Sequence, residues 1–283
     1  MLVAQTELFR RVTVLIQGPL NQTTIRQTHL ALRQGFKVVV STWAQGSYLD
    51  GASVFGDFAS NERFICKLST QPDFKGVNDS ICRDSTFWYA IHSIYYGIQE
   101  VSTEFVIKVR SDEFFERLDK IVEDIFLEKY EERFCFGNIF AKTWLEVPYH
   151  IGDHIFMCKA SVLESAMSML INQYKMRHCQ YGWLDQRYFA AETIVMRAYL
   201  YMLGKCTEES RALDHLDSVH VFDVNKYKPF LLKWQHQNIT YNSKFRNPYG
   251  VYSDADLLGN GISVTGRFIN FWIILLRLCR TRV

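Results

Sequence analysis

The sequence has no C-x-x-C pair. Its seven cysteines, Cys66, Cys82, Cys135, Cys158, Cys179, Cys206 and Cys279, stand singly. That excludes a zinc ribbon and a dithiol redox motif, and it suits reduced thiols in a cytosolic setting. Proline is scarce, five in 283 residues, and no linker-like stretch divides the chain, so a single compact unit is expected. An excess of one charge is missing too. The 32 Lys and Arg against 30 Asp and Glu leave +2, which makes no case for nucleic acid as the main partner. The longest apolar run, Phe268 to Leu276, is broken by Asn270 and is too short for a spanning helix, which needs about 20 residues. Closed by Arg277 and Arg280, it reads as a C-terminal helix that docks on the core or makes a peripheral membrane contact. The first eleven residues lack the basic start and apolar stretch of a signal peptide. The expected location is therefore the cytoplasm, a host's if the gene is viral. No Walker loop, GxGxxG, GxSxG or HExxH occurs, so the commonest NTPase, dinucleotide, hydrolase and zinc-protease signatures are missing as well.

What is present is an α/β pattern. Val12 to Gln17 is a β-branched apolar run ended by Gly18-Pro19, the reading of a buried parallel strand. A helix is expected from Thr23 to Gln34, and strands from Phe36 to Thr42 and Phe64 to Leu68. Asn78-Asp79-Ser80 supplies an N-cap for a long helix reaching Gln99, with Ile91, Ile94 and Ile98 on one face. Phe105 to Val109 is the next strand. The second half is less regular, with strands at Phe134 to Ile139, His154 to Cys158 and Val219 to Val224. Helices are expected at Ser161 to Asn172 and Tyr188 to Leu203. The alternation predicts a Rossmann-type, mainly parallel sheet flanked by helices, with a ligand at the carboxyl ends of its strands. Three strand ends then share one rim: Gln17-Gly18, Thr42-Trp43 and Arg110-Ser111-Asp112.

The chemistry-bearing residues cluster at that rim. Lys108 and Arg110 interrupt an apolar strand, and buried cations need an anionic partner or solvent. Asp112 beside Ser111 is a hard-oxygen site suited to Mg²⁺ or Mn²⁺, or else a turn residue. Arg83, in the first turn of the long helix, meets the same anion or pairs with Asp79 or Asp84. Glu192 stands at the start of an expected helix, where the dipole favours an acid. Trp144, Tyr149 and Trp183 are candidates for stacking on a sugar, with core packing as the alternative.

Six blocks, "VTVLIQGPL", "VVVSTW", "NDSICRD", "FVIKVRSDEFF", "PYHIGDHIFMCKASVL" and "AAETIVMRAYL", stand in the order of similar blocks in the WavE lipopolysaccharide-synthesis family, and the chain resembles that family. The resemblance implies a GT-A-like fold and a glycosyltransferase that uses a nucleotide-sugar donor, a UDP-sugar first, and an oligosaccharide or glycan acceptor. It implies that Gln17 and Gly18 contact the nucleotide and that Thr42 and Trp43 flank the base or ribose. Asn78 and Arg83 would approach the diphosphate, and Lys108, Arg110 and Ser111 would support it. The R-S-D block stands where related enzymes carry D-x-D. Arg110 replaces the first acid, so Asp112 remains as the direct ligand of a divalent Mn²⁺ or Mg²⁺, and His220 is the candidate second ligand. Glu192 and Asp153 are the two candidates for the base. Residues 1–130 would then form the donor half and 131–283 the acceptor half. A non-catalytic nucleotide- or glycan-binding module and a nucleotidyltransferase are the competing functions.

Overall fold

The computed structural model describes residues 7–44, 55–58, 60–72, 85–139, 141, 144, 147–175, 191–207, 209–227 and 229–231. Its centre is a seven-stranded sheet built from β1 (Val12–Gln17), β2 (Lys37–Trp43), β3 (Phe64–Ser69), β4 (Phe105–Arg110), β6 (Phe134–Gly137), β7 (Ile155–Lys159) and β8 (Val219–Phe222). A short pair, β5 (Glu113–Phe115) and β9 (Pro229–Leu231), forms a separate two-stranded sheet. The helices are α1 (Gln22–Arg33), α2 (Ser85–Ile98), α3 (Leu118–Leu127), α4 (Ala160–Lys175) and α5 (Ala191–Met202).

The order in the large sheet is β3-β2-β1-β4-β7-β6-β8. Neighbours run parallel except where β7 meets β4 and β6. The fold is the expected one, a mixed and mostly parallel sheet flanked by helices. Both halves of the chain supply strands to it, the join lying between β4 and β7. Among the described residues, no helix is long and apolar enough to cross a membrane; the C-terminal run at 268–276 lies outside them.

Side-chain alternation assigns the two faces of the sheet. Leu15, Val39, Val106, Phe134, Phe136 and Phe156 pack with Ile91 and Ile94 of α2, Leu163 and Met167 of α4 and Val195 and Met196 of α5. Val14, Ile16, Val38, Val40, Ile107, Val109 and Met157 pack on the other side with Ala31 and Leu32 of α1 and Leu118, Ile121 and Ile125 of α3. In β4 this parity puts Lys108 and Arg110 on the face of Val106, toward α2, α4 and α5.

Local signals explain the entry to α1. The Asn21 Oδ1 accepts from the amides of Thr23 at 2.8 Å and Thr24 at 3.1 Å, and the Asn21 amide donates to Thr24 Oγ1 at 3.2 Å. This reciprocal box satisfies donors that a helix leaves open. Asn21→Ala should lower unfolding stability by about 1 kcal/mol, read as a shift in the urea midpoint at unchanged slope.

Several boundaries differ from expectation by a few residues. The described part of the long helix begins at Ser85, and the expected N-cap at 78–80 lies outside the described residues. Helix α3 and strands β5 and β9 were not expected. Leu118, Ile121, Val122 and Ile125 do carry a helical spacing, whereas three-residue strands offer no period to read.

Candidate functional site

Strand order reverses direction between β1 and β4. From β1 the chain moves outward through β2 and β3, then returns to place β4 on the other side. Open α/β sheets have their crevice at such a switch point, beyond the carboxyl ends of the strands. Here Gln17 lies opposite Arg110 in the register. The Ser111 amide donates to the Gln17 carbonyl at 2.9 Å, and the Gly18 amide donates to the Ser41 carbonyl at 3.2 Å. Gly18 has φ +131°, and a Cβ there would stand 2.5 Å from Ser111 Oγ. The switch point therefore requires glycine at 18. Gly18→Ala should cost about 1–3 kcal/mol from backbone strain alone and weaken ligand binding by displacing Ser111; thermal melts and calorimetry report the two effects separately.

Lys108 is 1% exposed. Its Nζ donates to the backbone carbonyl of Asp153 and lies 5.5 Å from the centroid of the Phe156 ring, its partner across the strand pair. Burial pushes its pKa down, against the pull of Asp153. Arg110 is the hub of the cluster. Its Nε and Nη2 donate to Asp112 Oδ1 at 3.0 Å and Oδ2 at 3.1 Å. Its Nη1 stands 3.5 Å from Asp153 Oδ2, and its Nε 3.7 Å from Glu113 Oε1. Burial opposes both charges of the Arg110–Asp112 pair, but each partner prevails. The guanidinium is held above its usual range and the Asp112 carboxyl below its own.

Glu113 and His154 extend the network. His154 Nδ1 hydrogen-bonds Glu113 Oε1, and its Nε2 is 3.8 Å from Asp153 Oδ1. Glu113 is 2% exposed, and its Oε2 is buried without a hydrogen-bond partner. Neither Glu113 nor His154 was among the site residues singled out from the sequence. Their contact spans 41 residues, and no spacing signals it.

Lys108, Asp153 and Glu192 line one small cavity, open in part to solvent, whose apolar wall includes Ile91, Ile94 and Val195. Burial, and then the neighbouring Asp153, raise the Glu192 pKa above its ordinary 4.5. Burial also works against Asp153, but Lys108, His154 and Arg110 outweigh it and hold that carboxyl far below its usual range. The two acids of one cavity are thus driven apart in basicity.

The structure brings together Gln17, Gly18, Lys108, Arg110, Ser111, Asp112, Asp153 and Glu192. It does not bring His220 to them. His220 sits on β8, three strands from β4, with its ring stacked on Tyr130 at 3.9 Å. Thr42 is 1% exposed on the face of Val38 and Val40, and Trp43 is 8% exposed and edge-on to Tyr89 of α2 at 6.0 Å. Trp144 and Tyr149 are core residues. Trp144 Nε1 donates to the His150 carbonyl at 2.9 Å, and the Tyr149 hydroxyl donates to the Ser210 carbonyl at 2.8 Å. Asn78, Arg83 and Trp183 lie outside the described residues.

A divalent cation is a poor fit to these residues as they stand. Both Asp112 oxygens bind Arg110, and Glu113 Oε1 binds His154. Among the described residues, no three His, Cys, Asp or Glu side chains converge as a metal site.

No protein-family model matches the chain, and no curated protein sequence matches it. Among solved structures it is similar to HddC from Yersinia pseudotuberculosis, with 10% identity and a TM-score of 0.36 over 63% of this chain and 84% of that one. It is also similar to the inositol-1-phosphate CTP transferase from T. maritima, with 10% identity and a TM-score of 0.44 over 84% and 97%. S. aureus TarS gives 8% identity and a TM-score of 0.43 over 76% of this chain and 35% of that one. The chain spans about a third of TarS. Likenesses at this level say nothing of activity.

Proposed function

We propose that the chain is a glycosyltransferase that moves a sugar from a nucleotide-sugar donor, a UDP-sugar first, to a glycan hydroxyl with inversion at the anomeric carbon. One observation carries the reading. The switch point of the sheet presents Arg110, and the adjoining cavity joins Lys108 to two carboxylates of opposite tendency. The sequence resemblance to the WavE family supports the same chemistry.

The donor nucleotide lies across the β1 and β4 ends, on residues of the 1–130 half, with its diphosphate toward Arg110. The 131–283 half supplies Asp153 and Glu192 on the acceptor side. Glu192 is the better base. A carboxylate whose proton affinity is raised takes a proton more readily, whereas Asp153 is held ionised by Lys108 and Arg110 beside it. The acceptor hydroxyl gives its proton to Glu192 as its oxygen bonds to the anomeric carbon. The bond from that carbon to the phosphate oxygen breaks, and the nucleoside diphosphate leaves with the electron pair.

A screen of UDP-, GDP- and CMP-sugars, read by released nucleotide and transferred sugar, tests this. Turnover with one donor class is expected. Pyrophosphate formed from a nucleoside triphosphate and a sugar phosphate would instead mean nucleotidyl transfer. Binding of a donor that never turns over would mean a binding module.

A further inference from the structure

We propose that Arg110 is the built-in cation of this site. Its guanidinium holds the place that D-x-D enzymes give to a divalent metal ion, and it keeps the pocket of Asp112, Glu113 and Asp153 closed to one. The inference deepens the transfer reading and rests on it for the nucleotide, but not for the cation.

Three carboxylates surround the one guanidinium within 4 Å: Asp112 at 3.0 and 3.1 Å, Asp153 at 3.5 Å and Glu113 at 3.7 Å. The Asp112 contact is a two-point, charge-assisted fork, the strong form of such a pair. A metal ion on Asp112 would have to break both hydrogen bonds and then sit beside a positive charge. Lys108 adds its charge on the side of Asp153, whose carbonyl its Nζ holds. The second, independent observation is Glu113. It is 2% exposed, and its Oε2 has no hydrogen-bond partner. A buried carboxylate oxygen left in that state is costly unless positive charge stands close by. The pocket is therefore built around a cation, and the cation is a side chain. During transfer, guanidinium N–H groups that Asp112 leaves free would meet the leaving diphosphate, and no metal ion would be needed.

Removing that side chain should convert the pocket into a metal site. Both Asp112 oxygens would then be free, with the Asp153 carboxylate close by, and hard oxygen donors of this kind suit Mn²⁺. The test follows free Mn²⁺ by electron paramagnetic resonance with the full chain and no nucleotide. Wild type should leave the Mn²⁺ signal unchanged at equal protein and metal. Arg110→Met should bind one equivalent, with affinity higher by roughly two orders of magnitude, the scale of removing a unit charge about 4 Å from the ion. Arg110→Met combined with Asp112→Asn should lose that binding. In parallel, UDP binding to wild type, measured by calorimetry, should be the same in EDTA and in Mn²⁺.

The proposal is overturned if wild type binds one Mn²⁺ that Asp112→Asn removes, or if UDP binds only when Mn²⁺ is present. Should Arg110→Met fail to fold, the wild-type arms decide alone. If UDP binds in neither medium, the transfer reading falls, and the Mn²⁺ titration still judges Arg110.

Discussion

Replacing Glu192 with Gln is expected to lower the rate of sugar transfer by about two to four orders of magnitude, the range of a positioned general base. Donor binding should stay within a few-fold, because the neutral amide keeps the size of the side chain at the mouth of α5. The sign of the pH effect follows from the direction of the shift. Burial and Asp153 raise the Glu192 pKa above 4.5, and the base form is the carboxylate. Activity should therefore rise with pH through a limb that lies above 4.5, and the Glu192→Gln variant should lack that limb. A variant that keeps wild-type turnover would pass the role of base to Asp153. The pH profile separates a chemical role from a structural one, since a merely loosened fold would scale the whole curve without removing a limb.

Lys108→Met should produce the largest loss of stability. Lys108 is completely enclosed, and it is the largest of the charges that hold Asp153 ionised. The apolar replacement fills most of the space against Phe156. It also leaves the Asp153 carbonyl without its donor and the Asp153 carboxylate without its main counter-charge. Leaving the buried Asp153 carbonyl unsatisfied costs about 1–3 kcal/mol, and the lost charge beside the Asp153 carboxylate, whose side chain is 29% exposed, adds to it. Guanidinium unfolding at pH 7 measures it. The linkage has a definite sign. A depressed carboxyl contributes stability that is present above its unfolded value of 3.8 and is lost as pH falls through the folded one. Wild type should thus lose stability as acid titrates Asp153, and Lys108→Met should show less of that loss. The same change removes a charge that lowers Glu192, so the acid limb of activity should move to higher pH.

Much of this arrangement was legible in the chain. Short β-branched runs closed by Gly18-Pro19, by Trp43 and by the Arg110-Ser111-Asp112 turn announced three parallel strand ends. Period-two alternation showed that Lys108 and Arg110 share a face and need partners. The identity of those partners was not legible. Asp153 is 45 residues from Lys108 in sequence, and Glu113 is 41 residues from His154. Contacts of that kind depend on β7 pairing antiparallel to β4, which the local pattern of Ile155 to Lys159 does not encode. Asp112 illustrates the reverse difficulty. As a sequence feature it looked like a free metal ligand, and only the fold shows Arg110 curling back onto both of its oxygens. His220 was chosen by its place late in the chain, but strand order sets β8 at the far edge of the sheet, where the ring packs on Tyr130.

Phosphorus magnetic resonance of a single reaction mixture tests the central claim most directly. Protein, nucleotide-sugar and a mixed glycan acceptor pool are incubated in EDTA, and the phosphorus products are followed over time. Glycosyl transfer predicts that the two coupled signals of the nucleotide-sugar give way to those of free nucleoside diphosphate, with no pyrophosphate and no requirement for metal. A spectrum that stays unchanged with every donor, in EDTA and in Mn²⁺, would contradict it.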